Sequence, residues 1–192
     1  FEPAVAPHLA AAEAGVRLSP DELVDWYGRA TAGVELAIVE GVGGWRVPLH
    51  PDGFLSDLPE RLGLGVLLVV GLRLGCLSHA RLTFEAICSG NRCPFAGWIG
   101  NQVDAGFERL DANVATLERL LGAPPLAVIP PLAEPTARAA AQWLCAVRLF
   151  SAPNTQRISA ESTPTAMPRR MAVGVPPMTS NTPGITARPN SS

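Results

Sequence analysis

The chain contains no lysine, because all 15 of its basic residues are arginine. Arginine and lysine are not interchangeable at phosphate sites, since guanidinium is a planar fork of donors and ammonium is a compact point charge. A phosphate loop of the form GxxxxGK[ST], which depends on lysine, is absent from these 192 residues. The formal net charge of −2 provides no electrostatic footprint for nucleic acid, so we expect no nucleic-acid partner.

Charge and composition change at about Ser151. Residues 151–192 contain four arginines and one glutamate, whereas residues 1–150 contain 11 arginines and 16 acidic residues. The terminal segment has no Leu, Phe, Tyr or Trp, and it is rich in Pro, Ser and Thr. Such a composition buries too little apolar surface to offset the entropy of ordering. We therefore predict one folded domain over residues 1–150 and a disordered tail over residues 151–192.

Cysteine is scarce, and a long apolar run is lacking. Cys76, Cys88, Cys93 and Cys145 form no zinc-type pattern, which favours reduced thiols over a disulfide or a metal site. The longest apolar run, Gly63–Leu72, is too short to span a bilayer, and no signal peptide is visible. These features favour a cytoplasmic protein without a membrane partner.

An apolar run that ends in a carboxylate and a glycine-rich turn lies at Val34–Gly44. Leu36–Val39 shows no alternation of apolar and polar residues, which predicts a strand buried on both faces, as in a parallel sheet. Glu40 follows at the carboxyl end of this strand, where ligands bind in open α/β sheets. The next glycines allow the backbone to approach a phosphate, and a carboxylate is a typical Mg²⁺ ligand. The stretch fits a magnesium–phosphate site or a surface turn capped by Glu40.

Strands and helices alternate along the first 150 residues. Beyond the Val34 strand, the predicted strands are Gly65–Val70, Phe95–Val103 and Leu126–Ile129, and the predicted helices are Ser19 to about Thr31, Phe54–Leu62, Cys76–Cys88, Phe107–Leu121 and Pro135–Leu149. This order predicts βαβ units and a mostly parallel sheet with flanking helices.

The carboxyl ends of four predicted strands carry residues suited to a ligand site. They are followed by Glu40, by the Gly71–His79 loop, by Asn101 with Gln102, and by Pro130–Leu132. An asparagine amide can present a donor and an acceptor to a purine, and a helix start offers N–H groups to an anion. Each feature alone also has an ordinary role in a turn or a helix start. Because parallel strands share one carboxyl edge, their combination predicts a pocket there.

Several strings resemble the dethiobiotin synthetase family in order and spacing. They are EGVGGWRVPL, VLLVVGLRLGCLSHARLTFEAI, AGWIGNQVD and VIPPLAE, preceded by FEPAVAPHLAAAEAG. The resemblance covers about Phe1–Leu149, and GLRLGCLSHA is its most specific part. It implies a P-loop NTPase-like α/β fold and a homodimeric ligase that requires ATP and Mg²⁺. The substrates that it implies are 7,8-diaminononanoate and CO2, which are joined and cyclised to dethiobiotin in biotin biosynthesis.

The resemblance also implies roles for individual residues. ATP binding is implied for Glu40, Gly41, Val42, Gly43, Asn101, Gln102, Pro130, Pro131 and Leu132. Within that set, Glu40 would hold Mg²⁺, and Asn101 with Gln102 would read the adenine. Binding of the substrate carboxylate is implied for Leu74, Gly75 and Cys76, acting from the opposite subunit.

This sequence departs from the family in the residues that bind the phosphates of ATP. The family's phosphate loop, its two functional lysines, its second magnesium carboxylate and its first βα unit have no counterpart here. We assign no catalytic residue in this chain, and we expect a fragment, incomplete at its amino terminus, that is inactive by itself. Gln102 also replaces the usual Asp or Arg. The alternatives are another P-loop ligase of the cobyrinate amidase-type synthase class and a degenerate, non-enzymatic dimer scaffold.

Overall fold

A computed structural model describes residues 5–50, 53–89, 93–144 and, for the backbone alone, 169–174. In chain order the elements are α1 (Pro7–Glu13), α2 (Pro20–Ala30), β1 (Leu36–Glu40), β2 (Pro48–His50), β3 (Gly53–Phe54), α3 (Asp57–Leu62), β4 (Gly65–Gly71), α4 (Cys76–Cys88), β5 (Phe95–Asn101), α5 (Leu110–Leu121), β6 (Ala127–Ile129), α6 (Ala137–Ala141) and β7 (Arg169–Gly174). In these ranges, we find no helix with the length and apolar character needed to cross a bilayer.

The main sheet has five strands in the order β1-β7-β4-β5-β6, and every neighbouring pair is parallel. Strands β2 and β3 form a separate antiparallel pair. The predicted parallel α/β architecture is therefore confirmed. Because the strands run in one direction, their carboxyl ends meet at one edge of the sheet.

The largest core cluster lies where α4 and α5 cover one face of the sheet. Leu68 and Val70 of β4 pack with Trp98 of β5 and with Leu117 and Leu121 of α5. Burying apolar side chains of this size is worth about 1.5–3 kcal/mol each. This packing of α4 and α5 on one face of the sheet supports the central strands β4 and β5.

Some helix starts follow local sequence signals and others do not: the helix predicted over Phe54–Leu62 begins at Asp57, because Phe54 belongs to β3. Ser19 caps α2 as predicted, and its Oγ accepts a hydrogen bond from the Glu22 N–H at 3.5 Å. Helix α5 begins at Leu110 instead of Phe107, because Arg109 adopts φ 56° and ends the preceding loop in the left-handed region. Helix α6 ends at Ala141 and residues 142–144 are not helical, so the prediction of a helix over Pro135–Leu149 is wrong for these residues, and residues 145–149 lie outside the described residues.

Strand β1 is not buried on both faces, so that prediction is wrong. Ile38 is 63% exposed and Leu36 is 38% exposed, whereas Ala37 and Val39 pack towards Tyr27 and Leu64. The described packing partners of β1 lie on the side of Ala37 and Val39. An unbroken apolar run reveals that both faces suit burial, but it does not reveal whether both are covered.

Strand β7 comes from the segment that was predicted to be disordered. It pairs in parallel with β1 on one side and with β4 on the other. The disordered tail over residues 151–192 stays a prediction, because apart from the backbone of Arg169–Gly174 these residues lie outside the described part of the chain. Composition averaged over the whole tail obscured the short apolar run Met171–Val175, which prolines flank at positions 168 and 176.

Candidate nucleotide and substrate site

The predicted site residues lie at the carboxyl edge of the sheet. Glu40 is the last residue of β1, and Asn101 is the last residue of β5. Pro130 directly follows β6, and the loop from Leu72 to Gly75 joins β4 to α4. The fold thus brings to one edge the four groups of residues that are far apart in the sequence.

Two backbone hydrogen bonds connect neighbouring loops at this edge. The Leu72 N–H donates to the Asn101 carbonyl oxygen at 2.7 Å, and the Gln102 N–H donates to the Ile129 carbonyl oxygen at 2.9 Å. The ends of β4, β5 and β6 are therefore connected beyond the last residues of the strands. This connection gives the predicted adenine and carboxylate regions a common, backbone-defined frame.

Glu40 and the glycine turn form an exposed part of the edge. The Glu40 side chain is exposed, and within the described residues it makes no ion pair. Gly43 and Gly44 have φ values of 78° and 116°, a conformation that suits glycine. Gly41 is closely packed, because a Cβ there would require the Leu55 side chain to move. The glycine turn is thus closely packed, while the Glu40 carboxylate faces solvent.

The β4–α4 loop presents a helix start without a side-chain cap. Gly75 is the N-cap of α4 with φ 91°, and it makes no capping hydrogen bond through a side chain. The first turn of such a helix offers N–H groups and the positive end of the helix dipole to an anion. Leu74 is 91% exposed beside it, whereas the Cys76 side chain is buried in the main core cluster. The Cys76 thiol therefore belongs to the core, and the Cys76 N–H donates to the Arg73 carbonyl oxygen at 3.0 Å.

Asn101 and Gln102 differ in how free their side chains are. Gln102 Nε2 donates to the Asp104 carbonyl oxygen at 3.2 Å, which uses one amide donor within its own loop. Asn101 is half-buried, and its side chain makes no hydrogen bond within the described residues. Of the two amides, Asn101 is the more available for a base. Pro130 and Leu132 are half-buried, and Pro131 is exposed.

The arginine that braces the glycine turn was not anticipated from the sequence. Arg46 lies over the Phe54 ring, with 5.6 Å from Cζ to the ring centroid, and its Nη1 donates to Ser56 Oγ at 3.4 Å. Ser56 is fully buried. These contacts tie the segment after Gly44 to the start of α3. The sequence signal for these contacts was the pair Trp45-Arg46 after the glycines. An aromatic residue and an arginine next to a turn favour packing of their side chains against neighbouring residues over exposure to solvent.

Two cysteines with perturbed pKa values lie elsewhere. Burial raises the pKa of Cys93 from 9.0 to about 11, with a further contribution from the Glu60 carboxylate. Burial also raises the pKa of Cys88, and the charge of Arg81 opposes that shift. Thiols with raised pKa values are protonated at neutral pH, so they are poor nucleophiles. Cys76, Cys88 and Cys93 are free, and Cys145 lies outside the described residues.

Carboxylates are sparse at the edge. Within the described ranges, we find no group of three or more His, Cys, Asp or Glu side chains that could hold a metal ion. Mg²⁺ commonly keeps several waters and binds through one or two carboxylates together with substrate phosphates. A single exposed carboxylate beside a phosphate-accessible turn fits that ion, but it does not fit an all-protein metal cage.

Residues 1–139 match the family model described as an AAA domain. The chain belongs to the AAA domain family. A protein named ATP-dependent dethiobiotin synthetase BioD from Pseudomonas paraeruginosa strain PA7 is 53% identical over 135 residues, covering 70% of this chain and 59% of that protein. The protein of the same name from Ralstonia nicotianae is 53% identical over 138 residues, covering 71% and 59%.

A third protein of that name, from Cellvibrio japonicus, is 42% identical over 152 residues, covering 79% of this chain and 66% of its own length. The chain thus spans roughly three fifths of the length of these curated relatives. The resemblance to dethiobiotin synthetases that the sequence strings predicted is confirmed, and so is the P-loop NTPase-like fold class.

Proposed function

We propose that this chain provides one part of an ATP- and Mg²⁺-dependent dethiobiotin synthetase of biotin biosynthesis. The observation that supports the proposal is the carboxyl edge of the sheet. There, Glu40 with its glycine turn, the uncapped start of α4 and the Asn101 amide lie together. The reaction class comes from the relatives, which are named ATP-dependent dethiobiotin synthetases.

In the proposed reaction, one amine of 7,8-diaminononanoate attacks CO2 and forms a carbamate. A carbamate oxygen then attacks the γ-phosphorus of ATP, and ADP leaves. The second amine attacks the carbonyl carbon of the mixed anhydride, and phosphate leaves as the ureido ring of dethiobiotin closes. Phosphoryl transfer of this kind depends mainly on positioning and on neutralising negative charge.

The nucleotide would lie across the edge from Glu40 to Asn101. The backbone of Gly41, Val42 and Gly43 would follow the phosphates, and the exposed Glu40 carboxylate would hold Mg²⁺. When bound, Mg²⁺ would neutralise phosphate charge. The free Asn101 amide would contact adenine, and Pro130–Leu132 would line the base pocket, while Gln102 would act mainly by shaping its loop.

The start of α4 would hold the carboxylate of 7,8-diaminononanoate. Three features support this role: the missing side-chain cap, the left-handed Gly75 and the exposed Leu74. The Cys76 thiol is buried and its N–H donates to the Arg73 carbonyl oxygen at 3.0 Å, so the proposed carboxylate contact would rely on the N–H groups that follow Cys76 in the first turn. The family resemblance implies a homodimer, which we propose to act in the cytoplasm, and in such a dimer the exposed Leu74 would face the second copy.

We expect the chain as printed to be inactive, because it has neither a lysine nor a GxxxxGK[ST] loop to hold the phosphates. A coupled phosphate-release assay with 7,8-diaminononanoate, bicarbonate and Mg-ATP should give the background rate. Turnover well above that background would contradict this expectation.

A hybrid chain tests the proposed parent activity. The part of the strain PA7 relative that precedes the matched region is fused before Phe1, and dethiobiotin is measured by mass spectrometry. We expect product from this hybrid and about 100-fold less from the same hybrid with Glu40→Gln, since removing one charge-stabilising group typically costs that much. A folded, ATP-binding hybrid that forms no dethiobiotin would overturn the proposal and would favour a scaffold role.

A further inference from the structure

The outer face of α2 carries an exposed tryptophan. Trp26 is 61% exposed, whereas the next residue, Tyr27, is buried and packs with Leu64 on the inner side of the helix. An aromatic side chain of this size leaves a large apolar area in contact with water. Tryptophan is also enriched among the residues that dominate binding at protein interfaces. The outer face of α2 is therefore a candidate interaction surface.

The loop before α2 makes this surface concave. Residues 16–19 run beside the helix, and together they form a groove with a volume of about 430 Å³. Its apolar lining comes from Val16, Leu18, Leu23 and Trp26. Leu18 and Leu23 are half-buried, and Val16 is exposed. A groove of this size can accept a large side chain from a partner.

Four charged side chains also line the groove. They are Arg17, Glu22, Asp25 and Arg29, and none of them forms an ion pair within the described ranges. The neighbouring Asp21 differs, because its carboxylate pairs with Arg61 of α3. With two positive and two negative groups, the groove has no net charge. It is therefore unsuited to a partner of one strong charge, such as a nucleic acid or an anionic membrane.

The charges follow a definite order along the helix. Glu22 lies in the first turn of α2, and Arg29 lies in the last turn. With Trp26 they have the spacing i, i+4, i+7, so the three side chains share one face. Each charge complements the helix dipole at its own end. The dipole does not account for Trp26, because an indole carries no charge.

A second α2 helix that lies antiparallel to the first meets opposite charges at both ends. With a two-fold axis midway between residues 25 and 26, Glu22 of each copy faces Arg29 of the other. Asp25 then faces Trp26 of the other copy, and the Trp26 indole N–H has no hydrogen-bond partner in the described part of the chain. An interface about a two-fold axis uses the same patch on both copies and must be self-complementary. The outer face of α2 meets that condition.

We infer that the outer face of α2 docks a second copy of this chain, with the two α2 helices antiparallel and Trp26 of each copy in the groove of the other. This surface is separate from the β4–α4 loop that carries Leu74, and the inference does not depend on the proposed enzymatic function. One helix and one loop form a small interface, so the dissociation constant should be on the order of 100 μM.

The first test removes the central aromatic side chain. The full chain carries Leu74→Glu throughout, so that contacts of the β4–α4 loop do not contribute, and sedimentation equilibrium covers about 10 μM to 1 mM. The average mass should rise with concentration from monomer towards dimer. Trp26→Ala should weaken this association by about tenfold or more. Trp143→Ala is the matched control, because Trp143 is 49% exposed outside the groove, and it should change nothing.

Two outcomes of the first test overturn the proposal. One is a monomeric mass at every concentration. The other is an equal mass for Trp26→Ala and the parent chain.

The second test examines the antiparallel arrangement. Glu22→Arg alone places positive charges opposite each other across the axis, and Arg29→Glu alone places negative charges opposite each other. Each variant should self-associate about tenfold more weakly than the parent chain. In a 1:1 mixture of the two variants, every charge pair across the axis again has opposite signs. The mixture should therefore associate to within about twofold of the parent chain.

The matched control for the charge test uses the exposed residues Glu118 on α5 and Arg138 on α6. Glu118→Arg and Arg138→Glu should associate as the parent chain does, alone or mixed. Circular dichroism and urea unfolding establish that each variant is folded. A misfolded variant cannot recover through mixing, so recovery in the mixture supports the arrangement. Folded variants that associate no better when mixed would overturn it.

Discussion

The indole Nε1 of Trp98 donates to the carbonyl oxygen of Ala123 at 2.8 Å, and the ring itself is fully buried between the sheet and α5. One side chain thereby fills the centre of the core and holds the turn that leads into β6. The backbone of the same residue accepts a hydrogen bond from the Leu126 N–H at 2.8 Å. The position of β6, and of the Pro130 segment after it, therefore depends on Trp98.

Replacing Trp98 with phenylalanine should lower the free energy of unfolding. The variant loses the hydrogen bond to Ala123 and part of the buried ring, which together cost about 1–3 kcal/mol. Trp143→Phe is the control, because Trp143 is 49% exposed, and we expect a change within about 0.5 kcal/mol. Urea unfolding followed by circular dichroism measures both, and equal effects would contradict the assigned role of Trp98.

Two glycine substitutions should have opposite signs. Gly41→Ala places a methyl group against Leu55, so it should destabilise the fold by about 1–3 kcal/mol. Gly28→Ala lies inside α2 with open space around it, so it should stabilise the fold by about 0.5–1 kcal/mol through helix propensity. Thermal unfolding of the two variants beside the parent chain checks the signs, and a stabilised Gly41→Ala would show that the turn has room.

The raised pKa of Cys93 predicts that stability depends on pH in the alkaline range. The folded state holds the thiol proton up to about pH 11, whereas the unfolded chain releases it near the ordinary pKa of 9.0. Between pH 9 and pH 11 the folded state thus binds more protons than the unfolded state. The contribution of Cys93 to the free energy of unfolding is therefore fully present below pH 9 and decreases as the pH rises towards 11.

The measurement compares the parent chain with Cys93→Ala in urea at pH 8 and pH 10.5. We expect the loss of stability between the two pH values to be smaller in the variant. The same thiol should resist iodoacetamide at pH 8 while the exposed Cys88 reacts first, as judged by peptide mapping. Equal pH dependence in the two proteins would argue against a buried, protonated Cys93.

The exposure of Leu74 predicts an effect on self-association. If Leu74 acts against a second copy, Leu74→Glu should shift the chain towards the monomer in light scattering, because a charge at an apolar contact is costly. Leu9→Glu is the control, since Leu9 is 49% exposed on α1 and is far from Leu74 in the sequence. Identical masses for the parent chain and Leu74→Glu would remove the dimer argument.

The elements with strong local signals were predictable from sequence. The apolar β4 and the helix α4 appear where their residues predicted, and Ser19 caps α2. These predictions succeeded because a buried strand, a helical repeat and a capping hydroxyl are encoded by neighbouring residues. The convergence of Glu40 and Asn101 on one edge followed from the parallel topology.

The features that sequence reasoning missed depend on distant contacts. The exposure of Ile38 depends on which elements cover β1, and the start of α5 depends on the left-handed Arg109. The role of Arg46 depends on Phe54 and Ser56, which belong to later elements. Strand β7 was missed because its pairing partners precede it by about a hundred residues or more.

The placement of β7 also determines the geometry of the proposed ligand site. The ends of β4, β5 and β6 share direct backbone hydrogen bonds, so the Asn101 end of the edge is one rigid unit. Among the described strands, β1 is hydrogen-bonded to that unit through β7 alone. Two strands, β7 and β4, lie between the strand that ends at Glu40 and the strand that ends at Asn101, so their combined width sets the distance between these two residues. Displacing β7 would change the distance between the Glu40 and Asn101 ends of this edge, which the proposed nucleotide would bridge.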